Sequence, residues 1–231
     1  MKTISVNDKD FLCDIHTPCF AELGPEELEL VRNSKTQVIF HKGETVIKQG
    51  AFASYVLFIN GGLCKQYLEA EGARNLNLRL IGAGEFAGLS AVFSDKKFSY
   101  SLTALSETRV FLIETDTMAQ LAQQNAGFSF RITQRYCREN MRLFHNMHQL
   151  VYKHLHGRMA DVLLYIDHFR LRDPEVFSLL SRKDIAEFAG MSTESAVKIL
   201  KGFEKDGWVE LEEKDIRIMR REKLEEVAER G

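Results

Sequence analysis

The sequence predicts an α+β protein: an N-terminal half of antiparallel strands folded into a β-barrel or a double-stranded β-roll, one long helix, and a C-terminal winged helix-turn-helix. Three observations carry this. Ser181 to Leu200 reads S-R-K-D-I-A-E-F-A-G-M-S-T-E-S-A-V-K-I-L, the pattern of two helices crossing through a tight turn. Gln37 to Thr115 sets short runs rich in Val, Ile, Phe and Leu between glycine turns, about one turn per ten residues. Between these halves, Phe128 to Tyr152 runs without Gly or Pro.

Each element has its own signal. Phe11 to Ser34 reads as helical, with Leu23-Gly24-Pro25-Glu26-Glu27 as a start that sets Pro near the first position and acids in the first turn. The turns of the β half are His41-Lys42-Gly43-Glu44, Gln49-Gly50, Asn60-Gly61-Gly62, Glu71-Gly72 and Gly82-Ala83-Gly84-Glu85. Asp116 to Gln124 reads as a short helix. In the long helix, Ile132, Tyr136, Asn140, Leu143, Met147 and Leu150 form an apolar seam, with Tyr136, Leu143 and Leu150 repeating every seven, as a two-stranded coiled coil requires. His154 to Arg172 is a further helix with Met159, Val162, Leu163 and Ile166 on one face, ended by Asp173-Pro174. The domains expected are 1–127, which holds the β-roll, 128–152, the long helix that pairs two protomers, and 153–231, the winged helix-turn-helix.

In the helix-turn-helix, Ala186 is the small residue at the crossing and Gly190 supplies positive φ at the turn. Ile185, Ala189, Met191, Ala196, Ile199 and Leu200 form the buried face. Ser181, three residues before Asp184, and Ser192 cap the two helix starts. Thr193, Glu194, Val197, Lys198 and Lys201 then face outward, where a major groove could meet them. Val209 to Leu211 and Ile216 to Ile218 alternate as the two strands of a wing, and Glu222 to Arg230 closes the chain as a helix.

Composition sets limits. The formal charge of -2 gives no support to nucleic-acid binding, but local charge matters more: Arg131 to Arg172 holds eight Lys/Arg against three Asp/Glu. No run approaches the ~18 apolar residues of a membrane span, and no apolar segment follows Met1-Lys2. A cytoplasmic protein with four reduced cysteines is expected. Phosphate-loop, G-x-S-x-G, H-E-x-x-H and paired-Cys zinc motifs are absent, which argues against an enzyme.

K-G-E-T-V-I-K-Q-G (Lys42 to Gly50), Y-V-L-F-I-N-G-G (Tyr55 to Gly62), G-E-F-A-G (Gly84 to Gly88), the long helix and the helix-turn-helix follow one another in an order that resembles the cyclic-AMP receptor protein/FNR (Crp/Fnr) family of bacterial transcription regulators. The resemblance implies a cyclic-nucleotide-binding-type β-roll, a dimer along the long helix, a palindromic double-stranded DNA site, contact with RNA polymerase and a small-molecule effector. The effector region would be Gly84, Glu85, Phe86, Gly88, Leu89, Tyr100 and Ser101. Family positions on the second helix of the motif give Glu194 to cytosine N4, Lys198 to guanine, and Thr193 a weaker preference where cyclic-AMP receptors use Arg; Lys201 and Arg182 fall to phosphates.

The chain departs from the family at the signal. Cyclic-AMP binders place Glu directly after the G-E-F-x-G turn and an Arg-Ser pair later; here those positions are Leu89 and Tyr100-Ser101. Loss of the Arg removes a charged hydrogen bond of roughly 1.5–3 kcal/mol, so cyclic AMP is not expected. An iron–sulfur cluster is not expected either: only Cys13 and Cys19 are N-terminal, while Cys64 and Cys137 lie far along the chain. Five of the seven histidines fall between His145 and His168. His145 and His148 share a helix face, a spacing that suits a metal, but no metal is assigned. Haem is compatible with the family, with His41, His145 and His148 as candidate ligands, and no motif selects one. The cofactor therefore stays open. So do a haem- or redox-dependent sensor (Cys13 and Cys19 could form a thiol switch) and a ligand-binding β-roll without DNA function.

Overall fold

A computed structural model describes residues 19–70 and 75–231, together with the backbone of 2–4. The predicted helical start at Phe11, Gly72 and Cys13 lie outside these residues. The chain forms two compact units: Met1–Glu69 with Arg79–Met141, and Ala70–Leu78 with Arg142–Gly231.

Among the described residues, nine strands make the two sheets of the first unit. They are β1 (Lys2–Ile4), β2 (Lys35–Phe40), β3 (Thr45–Ile47), β4 (Tyr55–Gly61), β5 (Leu63–Glu69), β6 (Asn75–Gly82, which begins in the second unit), β7 (Glu85–Ala87), β8 (Ser101–Ala104) and β9 (Thr108–Glu114). One sheet runs β1-β2-β9-β4-β7 and the other β3-β8-β5-β6. The central strand β4 is apolar on both faces because both are covered. Val56 and Phe58 face a core of Phe20, Phe86, Phe111, Met118, Leu121 and Phe128, whereas Leu57 and Ile59 face a second core with Val38, Ile47, Cys64, Ile81, Leu102 and Val110. Register sets Phe58 beside both Phe86 and Phe111, with ring centroids 5.2 and 6.2 Å away. Three helices cover the first core: α1 (Pro25–Asn33), α2 (Thr115–Gln124) and the start of α3 (Ala126–Tyr152).

Over its described part, from Cys19 to Ser34, the expected N-terminal helical segment is interrupted. Phe20–Glu22 is a single 3-10 turn, and Gly24 in extended backbone breaks it from α1, as its G-P-E-E start predicts. Ile132, expected on the seam, is corrected to the core: it is 4% exposed among the aromatic residues, because the first turns of α3 lie on this unit.

The second unit is built on α4 (Leu155–His168), α5 (Val176–Leu179), α6 (Arg182–Phe188), α7 (Thr193–Lys205) and α8 (Arg221–Arg230), with a two-stranded wing of β10 (Val209–Leu211) and β11 (Ile216–Ile218). The expected helix over His154 to Arg172 ends earlier, in a 3-10 turn at Phe169–Leu171. Met159, Leu163, Ile166, Phe177, Ile185, Ala186, Leu200, Phe203, Ile216 and Leu224 close its core. Helix α5, with buried Val176 and Phe177, has too few residues for a helical period to show in sequence.

Candidate nucleic-acid interface and sensory region

Both motif helices start on side-chain caps. Ser181 Oγ accepts from Asp184 N (3.1 Å), while Asp184 Oδ2 accepts from Ser181 N (2.8 Å), a reciprocal capping box. Ser192 Oγ accepts from Ser195 N at 3.1 Å. The turn between the helices needs Gly190: its φ is +60°, and a methyl group there would come within 2.5 Å of Leu150 Cδ2. With Ala196, Ile199, Leu200 and Phe203 buried, α7 exposes Thr193, Glu194, Lys198 and Lys201, with Val197 half-buried beside them. Ser192 is exposed but engaged as the cap. Arg182 is placed differently. It is half-buried, donates Nη2 to Asp215 O at 3.5 Å in the wing turn, and has its pKa lowered, first by desolvation.

Arg170 was not singled out by sequence, yet it is the hub of the wing. Its Nη2 lies 2.7 Å from both Asp215 Oδ1 and Ile216 O, its Nη1 reaches Pro174 O at 3.1 Å, its Nε pairs with Asp167 at 3.2 Å, and the guanidinium lies 5.0 Å over the buried Phe177 ring. An Arg beside an Asp-Pro helix end looks like a solvated residue in sequence, so no local signal could have found it.

In the sensory region, the residues read as an effector lining divide. Phe86 and Leu89 are corrected from pocket wall to core: both are buried in the aromatic cluster. Tyr100 leans on the other core, and its hydroxyl accepts from Gly88 N at 2.6 Å; burial raises its pKa. Gly88 has φ +81°, and a Cβ there would meet Phe98 Cε1 at 2.7 Å. Gly84, also at positive φ, is exposed at the turn. Ser101 is fully buried; its hydroxyl donates to Glu69 and accepts from Gln49 N at 2.9 Å, and Glu69 in turn pairs with Lys48 at 2.6 Å.

Against the same G-E-F-A-G turn lies an ion network that sequence reading missed. Arg79 on β6 is only 6% exposed. It donates to Gln66 Oε1 (2.8 Å), Glu85 Oε1 (2.9 Å) and Glu139 Oε1 (3.2 Å), and Arg135 approaches Glu85 (3.6 Å) and Glu139 (3.1 Å). Glu85 Oε2 also accepts from Gly82 N at 2.9 Å. Two cations thus face two carboxylates, tying α3 to β6 and β7. Charged residues on a helix read as solvated, so Arg135 and Glu139 gave no signal of this role.

Cys64 and Cys19 are buried, and Cys137 is exposed on α3. Desolvation pushes the Cys64 thiol up to about 12 and raises that of Cys19, so both are held as thiols. No cluster of three or more metal-ligating side chains occurs among the described residues. His145 Nε2 lies 2.7 Å from Gln149 Nε2, and the His148 ring lies 5.0 Å from that of Tyr152.

Helix α3 carries an uncovered, partly apolar face that includes Tyr136, Asn140, Leu143 and Met147 of the expected seam. Thr133, Cys137, Asn140, Phe144, Met147 and Val151 are all exposed and follow the alternating four-three spacing of a coiled-coil seam. Phe144 is 61% exposed and Leu143 42%. Leu150 is half-buried against Gly190, and Tyr136 and Leu143 flank the stripe.

Residues 37–125 match the family model of the cyclic nucleotide-binding domain, and residues 157–227 match that of the Crp-like helix-turn-helix domain. The chain belongs to the Crp/Fnr family of transcription regulators. This regulator is 24% identical over 209 residues to the CRP-like cAMP-activated global transcriptional regulator of Mycobacterium tuberculosis, covering 89% of this chain and 93% of that one. It is 21% identical to the cyclic AMP receptor protein of Thermus thermophilus, covering 92% and 97%. A crystal structure assigned to the crp/fnr family from Eubacterium rectale superposes with a TM-score of 0.77 at 17% identity, over 92% of this chain and 98% of that one, which supports the fold. The regulator's relatives are DNA-binding regulators, not enzymes. None of its described helices is long and apolar enough to cross a membrane.

Proposed function

We propose that the regulator acts in the cytoplasm as a parallel homodimer on a two-fold symmetric DNA site, with RNA polymerase as its downstream partner and a small signal other than cyclic AMP acting on the β-roll. Residues 1–127 sense, 128–152 pair the protomers and 153–231 bind DNA. The observation that carries the reading is α7, capped, buried on one face, and exposing Thr193, Glu194, Lys198 and Lys201 on the other. Glu194 accepts from cytosine N4; Lys198, one turn on, donates to guanine and holds Glu194; Lys201 meets phosphate. Arg182, turned toward the wing, positions the wing turn instead. The stripe of Phe144, Met147 and Val151 is the pairing face, and a dimer matches a two-fold operator.

The cyclic-AMP-activated relatives are named for a ligand this chain is ill-equipped to hold. Leu89 is buried in the core, Tyr100 is bonded to Gly88, and the guanidinium of Arg79 is engaged by Glu85, Glu139 and Gln66. Selection of binding sites from random DNA tests the DNA reading: a palindrome is expected, and no symmetric enrichment overturns it. Titration calorimetry tests the ligand reading, with sub-micromolar cyclic-AMP binding as the result that overturns it.

A further inference from the structure

We propose that Arg170 is a positioning residue that holds the wing's carboxylates beside the lysine face of α7, lowering affinity for every DNA sequence alike. Only a site that supplies the full set of base contacts is then occupied. The inference rests on DNA binding by α7 but not on which bases it reads.

The wing is acidic. Between Glu210 and Arg217 it carries Glu210, Glu212, Glu213 and Asp215 against Lys214 and Arg217. Arg217 is exposed, but its charge is offset by Glu212 at 3.1 Å and Glu210 at 4.0 Å. The other two arginines at the wing point inward. Arg170 grips Asp215 and the Ile216 carbonyl, and Arg182 leans on the Asp215 carbonyl. Neither is turned to supply phosphates, and Asp215 is taken up by Arg170, so the wing presents outward three carboxylates, Glu210, Glu212 and Glu213, against Lys214 and Arg217.

The placement of the wing is fixed as well as its charge. At about 100° per residue, Glu194, Lys198, Lys201 and Lys205 share one face of α7, and Glu204 lies at its edge. Glu204 Oε1 accepts from Leu211 N at 3.2 Å, which holds the end of β10 against that edge. Glu212 N donates to Asp215 O at 3.2 Å, closing the turn at the other end. Arg170 locks the turn from behind while stacked over Phe177. A phosphate that meets Lys201 therefore meets the field of the wing too. Each carboxylate near the strand opposes the counterion release that drives sequence-independent binding.

The experiment uses the full chain and two duplexes, one carrying the selected site and one of random sequence, with affinity read by fluorescence anisotropy across a salt series. Glu212→Gln/Glu213→Gln removes two exposed carboxylates at the wing tip and leaves Arg217 to Glu210 alone. The expected result is about three- to tenfold tighter binding to both duplexes at low salt, with a salt slope steeper by roughly one to two. Unchanged or weaker binding overturns the proposal, as does a gain confined to one duplex, which would mark a base contact rather than a field. Arg170→Met and Arg170→Lys (which keeps the charge but loses the fork) test the positioning role. In either background, the Glu212/Glu213 substitutions are expected to give a clearly smaller gain, because the freed wing no longer lies beside the strand. A full gain there removes Arg170 from the argument. A native protein that binds random DNA but selects no symmetric site would defeat the base-reading assignment and leave this test intact.

Discussion

Gly88 and Tyr100 hold the region where the family places its signal. The Gly88 N–H is buried and its partner is the Tyr100 hydroxyl, so Tyr100→Phe strands a donor without opening a cavity. The expected loss is about 1–3 kcal/mol of folding stability in urea titrations, more than an exposed phenol would cost. Cys64 makes a pH-dependent contribution of definite sign. Burial keeps its proton up to about 12. From the ordinary thiol value of 9.0 up to about 12, the unfolded chain releases a proton that the folded chain retains. Stability therefore falls as pH rises through that window. Urea midpoints should decline from pH 8.5 to pH 10.5, and Cys64→Ala should flatten the decline; an equal slope in the variant refutes it. Single residues were legible where their role was local. The Ser181 and Ser192 caps and Gly190 follow from spacing alone. Arg79 and Arg170 were not, because their partners Glu139 and Asp215 lie 60 and 45 positions away.

Among the elements, the long helix shows why sequence gives a period more readily than a phase. The heptad spacing was readable, but α3 is apolar on two sides. Phe128 and Ile132 fill the core of the first unit, while Phe144, Met147 and Val151 face out. Sequence cannot say which apolar stripe its own domain takes, and Ile132, in register with the seam, belongs to the core. The two stripes answer differently to substitution. Phe144→Glu should weaken dimerisation by on the order of 3 kcal/mol, seen by sedimentation equilibrium, with little change in the secondary structure of the protomer. Ile132→Ala should instead cost about 2–5 kcal/mol of folding stability through a core cavity. If Phe144→Glu leaves the association constant unchanged, the stripe is not the pairing face. The wing strands, by contrast, were placed at Val209–Leu211 and Ile216–Ile218 from alternation alone, because a short hairpin is set by its turn.

At the scale of the whole molecule, both units pair the ions they bury, Arg79 with Glu85 in the first and Arg170 with Asp215 in the second. The first unit neutralises its buried ions in pairs, with Arg79 and Arg135 against Glu85 and Glu139. Arg79→Met is therefore expected to leave two carboxylates facing one cation, and to destabilise the chain by about 3–5 kcal/mol. Replacing Arg79, Arg135, Glu85 and Glu139 together with apolar residues should cost much less, a comparison that calorimetric melting would read. The second unit also leaves its lysines at the surface of α7. The contact between Leu150 and Gly190 within this unit has a further consequence. Because the half-buried Leu150 meets the side of Gly190 that has no room for a methyl group, the count of residues in α3 is constrained more tightly than their identities. One residue inserted between Arg142 and Leu150 turns Leu150 by about 100° and moves it about 1.5 Å along the axis. Exchanges along the exposed stripe leave that seat intact. Sequence drift in this helix is thus free to proceed by substitution and is closed to insertion or deletion.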